Sequence, residues 1–323
     1  MKKLTNQYLE EAIEDSKPYA SHGNVNMTIP HFDETIKDHL SVSILTTHGE
    51  SYSAGGDNQH IPMQSTSKII GLMLALQDFG KDRVFQTVGM EPMGDFFNSI
   101  SQLESHVNHK PFNPMINAGA IAVASLIKGQ NTETRFDRYL TFLRRITSND
   151  QLEMSEEVYE AEIGNGARNR SLAYFMQSNG TLVTDVEEAL DLYFRMNAVM
   201  MCCTDFAKVG LFLAKGGEDP ASGERLIPPH HLRTVKAIMM TSGMYNSSGH
   251  YAVEAGFPCK SGVSGSIIGS VPGRMGIGVV GPAIDKKGNS TAGGALIKKL
   301  SKDLGLNMFG VENTDAEEEH NGV

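Results

Sequence analysis

Strands at both ends of the chain and helices through its middle predict an α+β fold, an antiparallel sheet made by the two chain ends and carrying an inserted helical region. Three observations predict it. Apolar and polar residues alternate from Leu40 to Tyr52, capped helical patterns run from about residue 63 to 205, and short glycine-rich, β-branched stretches return after residue 250. The expected boundaries are residues 1–62 and 206–310 for a discontinuous sheet domain and 63–205 for a helical domain. Residues 311–323 form an acidic tail, expected to be disordered.

Each element has its own signal. Leu9 to Ser16 is polar and acidic at helical spacing and runs into a loop at His22-Gly23. Val42 and Ile44 fall on one face of a strand and Ser41 and Ser43 on the other; His48-Gly49 is a turn, and Ser51-Tyr52-Ser53 returns as the second strand of a hairpin. The apolar run Ile69 to Leu76 covers nearly every side of a helix that Gly80 should end. Thr132 or Thr134 can open a helix through Arg145, Thr184-Asp185-Val186-Glu187 reads as a capping box for one through Met196, and Thr204 can cap another through Leu213, closed by Gly216-Gly217. Strands are expected at Tyr251 to Val253, Gly265 to Val271 and Met275 to Gly281, the last two joined by a Pro272-Gly273 turn, before a final helix from Thr291 to Leu304.

Composition narrows the function classes. With 323 residues, 40% of them hydrophobic, the chain can bury one large core or two modest ones. The beginning, Met1 to Gln7, has no apolar targeting segment, and the longest apolar run, Ala118 to Ile127, is too short to span a bilayer. A cytoplasmic location away from membranes is therefore expected. Cys202, Cys203 and Cys259 suit neither a disulfide framework nor a metal site and are expected to be buried and reduced. The formal net charge of -10 includes Glu312, Asp315, Glu317, Glu318 and Glu319, which leaves -5 for the body and argues against a nucleic-acid partner.

Several clusters could carry chemistry. Ser65 and Lys68 are three apart at a helix start, so a desolvated lysine with a lowered pKa could take the serine proton; a capping serine is the alternative. Asn117, after Asn113-Pro114, either caps a small-residue helix or uses its donor and acceptor to grip a carboxylate or amide. Glu162 and Asn169 flank Gly164 and Gly166 and could hold an ammonium and a carboxylate from a glycine-rich loop, or simply be solvated. Tyr245, in Ser242-Gly243-Met244-Tyr245, could relay a proton or stabilise an oxyanion, or could pack; Tyr193 poses the same choice. Lys260-Ser261-Gly262-Val263 opens a strand along which a ligand could lie, with the Val263 N–H as a donor.

The pair Ser65-Thr66-Ser67-Lys68 and Lys260-Ser261-Gly262 resembles that of the penicilloyl-serine transferases and β-lactamases, which share the architecture predicted above. A fuller set, Gln64 to Lys68, Val88-Gly89-Met90-Glu91-Pro92, Asn113 to Ile121, Arg168-Asn169, Ser242 to Tyr245 and Lys260 to Gly265, resembles the serine-dependent glutaminases over about residues 23 to 308. That resemblance implies a β-lactamase/transpeptidase-like fold and hydrolysis of the L-glutamine side-chain amide, with no cofactor or metal. It implies Ser65 as nucleophile, Lys68 as base and Tyr245 as proton shuttle. The backbone N–H groups of Ser65 and Val263 would bind the oxyanion, while Gln64, Asn117, Glu162, Asn169 and Tyr193 would hold the substrate. Relatives form homo-oligomers, so a homodimer or homotetramer is expected.

Three positions depart from the family pattern. Thr28-Ile29-Pro30 stands where Tyr-Ile-Pro is usual, Ala161 where a serine commonly precedes the glutamate, and Met93 where a serine follows Glu91-Pro92. Two other functions compete. A β-lactam-reacting serine hydrolase should carry a Ser-x-Asn or Tyr-x-Asn triplet, and the chain has neither. A glutamine-binding sensor or weakly active relative is the reading that Thr28 motivates.

Overall fold

The computed structural model describes residues 2–56, 59–94, 99–105 and 109–310; the acidic stretch 311–323 lies outside the described residues. Helix α1 (Asn6–Ser16) starts three residues before the expected Leu9, because the Thr5 hydroxyl accepts from the Tyr8 N–H at 3.1 Å and caps it there. Short strand β1 (Asn24–Val25), the hairpin β2 (Ser41–Thr46) and β3 (Ser51–Ala54), and short β4 (Ile61–Pro62) follow. A helical region comes next: α2 (Ser67–Thr87), α3 (Ile100–Ser105), α4 (Asn117–Ala124), α5 (Thr132–Thr147), α6 (Glu156–Gly164), α7 (Ala167–Ser178) and α8 (Val186–Asn197). The chain ends with β5 (Met200–Met201), α9 (Cys203–Ala214), α10 (Pro229–Ser242), α11 (Ser248–Glu254), β6 (Cys259–Ser261), β7 (Ser266–Val271), β8 (Met275–Val280), β9 (Ala283–Ile284) and α12 (Thr291–Leu304).

The main sheet is antiparallel in the order β3-β2-β8-β7-β6, so the two chain ends build it together, as the strand pattern predicts. Val42, Ile44, Ile267, Ile277 and Val279 form one core with α1 and α12. The other face, which alternation alone would leave to solvent, is covered by α9. The residues beneath it are small: Ser41 and Ser43 pair with Val280 and Gly278, and the Thr204 hydroxyl meets Ser43 Oγ at 3.2 Å. A Cβ on Gly276 would lie 2.0 Å from the Leu211 nitrogen, and one on Gly278 would lie 2.2 Å from the Cys203 carbonyl oxygen. Backbone-to-backbone approach is thus what seats α9. The helices α2, α4, α5 and α8 share a second core with α9, centred on residues such as Ile70, Leu74, Ile121, Leu143 and Phe194.

Several local expectations are corrected. Tyr251 to Val253 is helical, within α11, because the sheet edge is already taken by β6 and Tyr251 packs its hydroxyl end against α12 beside Gly294. Glu162 and Asn169 do not sit on a loop: they lie on α6 and α7, and the glycines make only the turn between those helices. The caps shift by one or two residues: to Asp185 for α8, whose carboxylate accepts from the Glu187 and Glu188 N–H groups, and to Cys202 for α9, whose N–H donates to the Asp205 carboxylate at 3.3 Å. Gly80, at φ 72°, breaks helical geometry as expected, but the chain resumes the helix to Thr87. Cys203 and Cys259 are buried free thiols, while Cys202 is half-buried and its thiol donates to Asp205 at 3.2 Å. Among the described residues no helix is long and apolar enough to cross a membrane.

The close approach of α9 sets a stability expectation. Gly278→Ala should destabilise the protein by roughly 2–3 kcal/mol through overpacking, while Gly249→Ala, where a Cβ meets nothing within 4 Å, should be near neutral or better. Urea unfolding midpoints of the two variants check this, and equal midpoints would contradict the packing argument.

Candidate active site

Ser65 occupies a 3-10 turn, Gln64–Thr66, that precedes α2 and does not belong to it. Gln64 has a left-handed backbone, φ 47°, which a non-glycine residue adopts only where surroundings enforce it. Those surroundings are clear. The Met63 N–H donates to the Val199 carbonyl at 2.8 Å, β4 pairs with β5, and the Thr66 hydroxyl donates to the Met63 carbonyl at 2.7 Å. From the other side Gly262 rests on the turn: a Cβ there would fall 2.9 Å from the Met63 carbonyl oxygen and 2.5 Å from Ser266 Oγ. The lysine-serine-glycine motif at the end of β6 therefore abuts the Ser65 turn far upstream of it.

Lys68 lies one turn further along, only 2% exposed. Its amine donates to Asn117 Oδ1 at 2.7 Å and to the Met115 carbonyl at 3.2 Å. Burial brings its pKa down from the ordinary lysine value to about 7, with the Glu162 carboxylate pulling weakly the other way. Asn117 opens α4 but is not its cap; Ile116 holds that position, which frees the Asn117 side chain to join Lys68 to Asn169. Asn117 Nδ2 donates to Asn169 Oδ1 at 3.0 Å. The turn behind them is rigid, since Asn113 accepts from the Met115 N–H at 3.0 Å and donates to the Glu91 carbonyl at 2.8 Å.

Glu162 is held from two sides. Gln64 Nε2 donates to Oε1 at 3.1 Å and Asn197 Nδ2 donates to Oε2 at 3.0 Å, while Ser67 Oγ donates to Asn197 Oδ1 at 2.8 Å. Tyr193, buried one turn before Asn197 on α8, has its phenol pKa pushed up by burial and then by the Glu162 charge. Tyr245, also left-handed at φ 49°, directs its hydroxyl to Ser65. Burial raises its pKa, Ser65 offsets part of the rise, and Asp285 adds to it. Val263 approaches the same ring: a Cβ on Gly288 would touch both Tyr245 and Val263 at 3.2 Å.

Sequence reasoning singled out Lys260 as part of a motif without giving it a role. The structure buries it completely, 4.7 Å from the Tyr245 ring centroid and bonded to the Ser261 carbonyl at 2.5 Å. Burial, and then the neighbouring Lys68, hold its pKa well below the usual lysine range. Asn197 was missed altogether. An asparagine in the last turn of a helix reads as a terminus, and only its i+4 spacing from Tyr193 hinted at a shared face. Thr28 is exposed, and its hydroxyl donates within its own loop to Asn26 Oδ1 at 2.8 Å. Met93 lines a small cavity of about 20 Å³ beside Tyr245, Met115 and Asn246, room for a single water.

An antiparallel sheet flanked by helices, with a buried serine and lysine one turn apart and a tyrosine over the serine, defines a β-lactamase-like fold. Comparison with known proteins narrows the class. The sequence profile of the Glutaminase family matches residues 23–309. A glutaminase of Clostridium botulinum (strain Hall) is 48% identical over 304 residues, covering 94% of this chain and all of its own. A probable glutaminase of Bacillus subtilis superposes with a TM-score of 0.88 at 36% identity, over 94% of this chain and 97% of that one. A Bacillus subtilis glutaminase in covalent complex with 5-oxo-L-norleucine, formed by reaction with 6-diazo-5-oxo-L-norleucine, superposes with a TM-score of 0.84 at 34% identity, over 94% and 99% of the two chains. The chain belongs to the glutaminase family and is an amidohydrolase of linear amides.

The contact between Gly262 and the Met63 carbonyl predicts an asymmetric effect. Gly262→Ala should lower kcat by roughly tenfold or more, because sub-ångström displacement of a reacting group is costly, and should leave the thermal midpoint within a few degrees of wild type. Ammonia release and a melting curve on one preparation check both.

Proposed function

We propose that this chain hydrolyses the side-chain amide of L-glutamine to L-glutamate and ammonia through an acyl-enzyme on Ser65. The observation that carries this reading is the buried Lys68 amine, brought to about 7 one turn from Ser65. An amine that is largely neutral at physiological pH can accept the hydroxyl proton as Ser65 Oγ attacks the amide carbon. The oxyanion that forms is taken by the backbone N–H groups of Ser65 and Val263, neither of which donates to a backbone carbonyl among the described residues. The proton then passes to the departing nitrogen, from Lys68 and by way of Tyr245, whose raised pKa keeps the phenol protonated between transfers. Water, activated by the same amine, hydrolyses the ester and releases glutamate.

The polar ring around the serine fits the other end of a free amino acid. Glu162 takes the α-ammonium, with Tyr193 and Gln64 bracing it, and the amides of Asn117 and Asn169 take the α-carboxylate. The related Bacillus subtilis enzyme supports this assignment. The compound that modified it carries an amino-acid head and a carbonyl at the position of the glutamine amide carbon. Thr28, held to Asn26 within its loop, leaves these groups to carry recognition.

Two measurements test the reading. The sign of the pH dependence follows from the base: Lys68 acts when neutral, so kcat/KM should fall about tenfold per unit below roughly pH 7 and level off above it. A plateau extending well below neutrality would exclude Lys68 as base. In coupled ammonia detection, L-glutamine should be hydrolysed well ahead of L-asparagine, whose amide stops about 1.5 Å short of Ser65 when its head is clamped, and Ser65→Ala should release none. Faster hydrolysis of asparagine would overturn the substrate, and tight glutamine binding without ammonia would favour a sensor.

A further inference from the structure

Glu162 reaches the site from α6, and its carboxylate is held by side chains of other elements, Gln64 and Asn197. Asn197 bridges Glu162 and the first turn of α2, with a hydrogen bond to each. It is 2% exposed, at the end of α8. Its amide orientation is fixed by its partners: a carboxylate only accepts, so Nδ2 donates to Glu162 Oε2 at 3.0 Å, which leaves Oδ1 to accept from Ser67 Oγ at 2.8 Å, and the side chain also bonds to Tyr193. Gln64 Nε2 takes the other carboxylate oxygen at 3.1 Å. One donor per oxygen fixes the carboxylate plane.

We propose that Asn197 is a positioning residue, which holds the Glu162 carboxylate at a set distance from Ser65 and thereby sets selectivity for substrates with an α-ammonium. The proposal rests on the reading of Glu162 as the ammonium partner. The geometry gives Asn197 this task because Gln64 immediately precedes Ser65 and Ser67 follows two residues after it, so both tethers of the carboxylate are fastened to the backbone on either side of Ser65. The head of the substrate and its amide are then gauged from one rigid piece of backbone. A carboxylate that loses the Asn197 donor turns about the remaining bond to Gln64, and an ammonium held by it no longer lies on the line to Ser65.

The experiment compares L-glutamine with 4-carbamoylbutanoate, the same skeleton without the α-amino group, by kcat/KM, or by Ki where the analogue is not turned over. The preference for glutamine is a ratio taken on one preparation, so it does not depend on the fraction of enzyme that is folded. Glu162→Gln tests the underlying reading and should collapse the preference. Asn197→Leu should lower the preference by about tenfold or more, chiefly through a raised KM for L-glutamine, with the analogue changed by less than about threefold. The double variant should show no further loss of preference beyond Glu162→Gln alone. If Glu162→Gln keeps the preference, the ammonium reading fails. If Glu162→Gln loses it and Asn197→Leu does not, or if Asn197→Leu weakens both ligands in the same proportion, the positioning role is overturned and Asn197 merely supports the fold.

Discussion

Burial of the Lys68 amine is the constraint on which the site depends. An ammonium removed from water must be neutralised, paired or solvated by oxygen. Its direct partners here are uncharged: the Asn117 amide oxygen and the Met115 carbonyl take its hydrogen bonds. That solution requires the Asn113-to-Asn117 turn to stay where it is. Asn113, itself fully buried, binds on both sides of the turn, and a Cβ on Gly119 would lie 1.9 Å from the Asn113 carbonyl oxygen. A rigid turn, a glycine on α4 and a half-neutral amine are thus parts of one arrangement. Lys260 repeats the theme beside it, with a backbone carbonyl and the face of Tyr245 as its partners.

The negative charge is kept on a different wall. Glu162 touches neither lysine; Gln64 and Asn197 meet its two oxygens, and it acts on Lys68 only through the field, opposing the downward shift that burial imposes. A direct ion pair would have restored a lysine of ordinary basicity, useless as a base near neutrality. Separation through neutral amides therefore lets one small pocket hold an amine with a lowered pKa and a carboxylate without a direct ion pair between them.

Much of this was legible in the sequence where a short-range rule applies. Alternation placed β2, glycine-rich β-branched stretches joined by Pro272-Gly273 placed β7 and β8, and the last helix was expected at about Thr291 to Leu304, where it lies. Helix α10, with Pro229 at its start and histidines in its first turn, drew no expectation, and Tyr251 to Val253 was read as strand from β-type residues that a helix face buries equally well. The same limit applies at the site. Ser65, Lys68 and Gly262 are legible from spacing and motif, and Asn117, Glu162, Asn169 and Tyr193 from the family resemblance. The link from Asn197 to Glu162 crosses from α8 to α6, and no local pattern marks an asparagine whose two partners come from different helices. Glycines 276 and 278 were seen as strand composition, but their purpose appears only when α9 lies on them.

Backbone strain explains why Ser65 is not simply the start of a helix. Gln64 and Tyr245 both have positive φ, at 47° and 49°, on turns that face each other across Ser65. Each such residue costs about 1–2 kcal/mol relative to ordinary backbone, and a helix begun regularly at Ser65 would avoid one of them. It would also swing Gln64 away from Glu162, to which it donates at 3.1 Å. The strained turn holds because its neighbours over-determine it: β4 pairs with β5, Met63 bonds to Val199, and Gly262 closes on the Met63 carbonyl. Strain at Tyr245 is contained likewise, with Ser248 Oγ accepting from the Met244 N–H at 3.0 Å and donating to the Tyr245 carbonyl at 2.8 Å. The fold thus spends stability at two residues so that a hydroxyl, an amide and a phenol can converge on the same point.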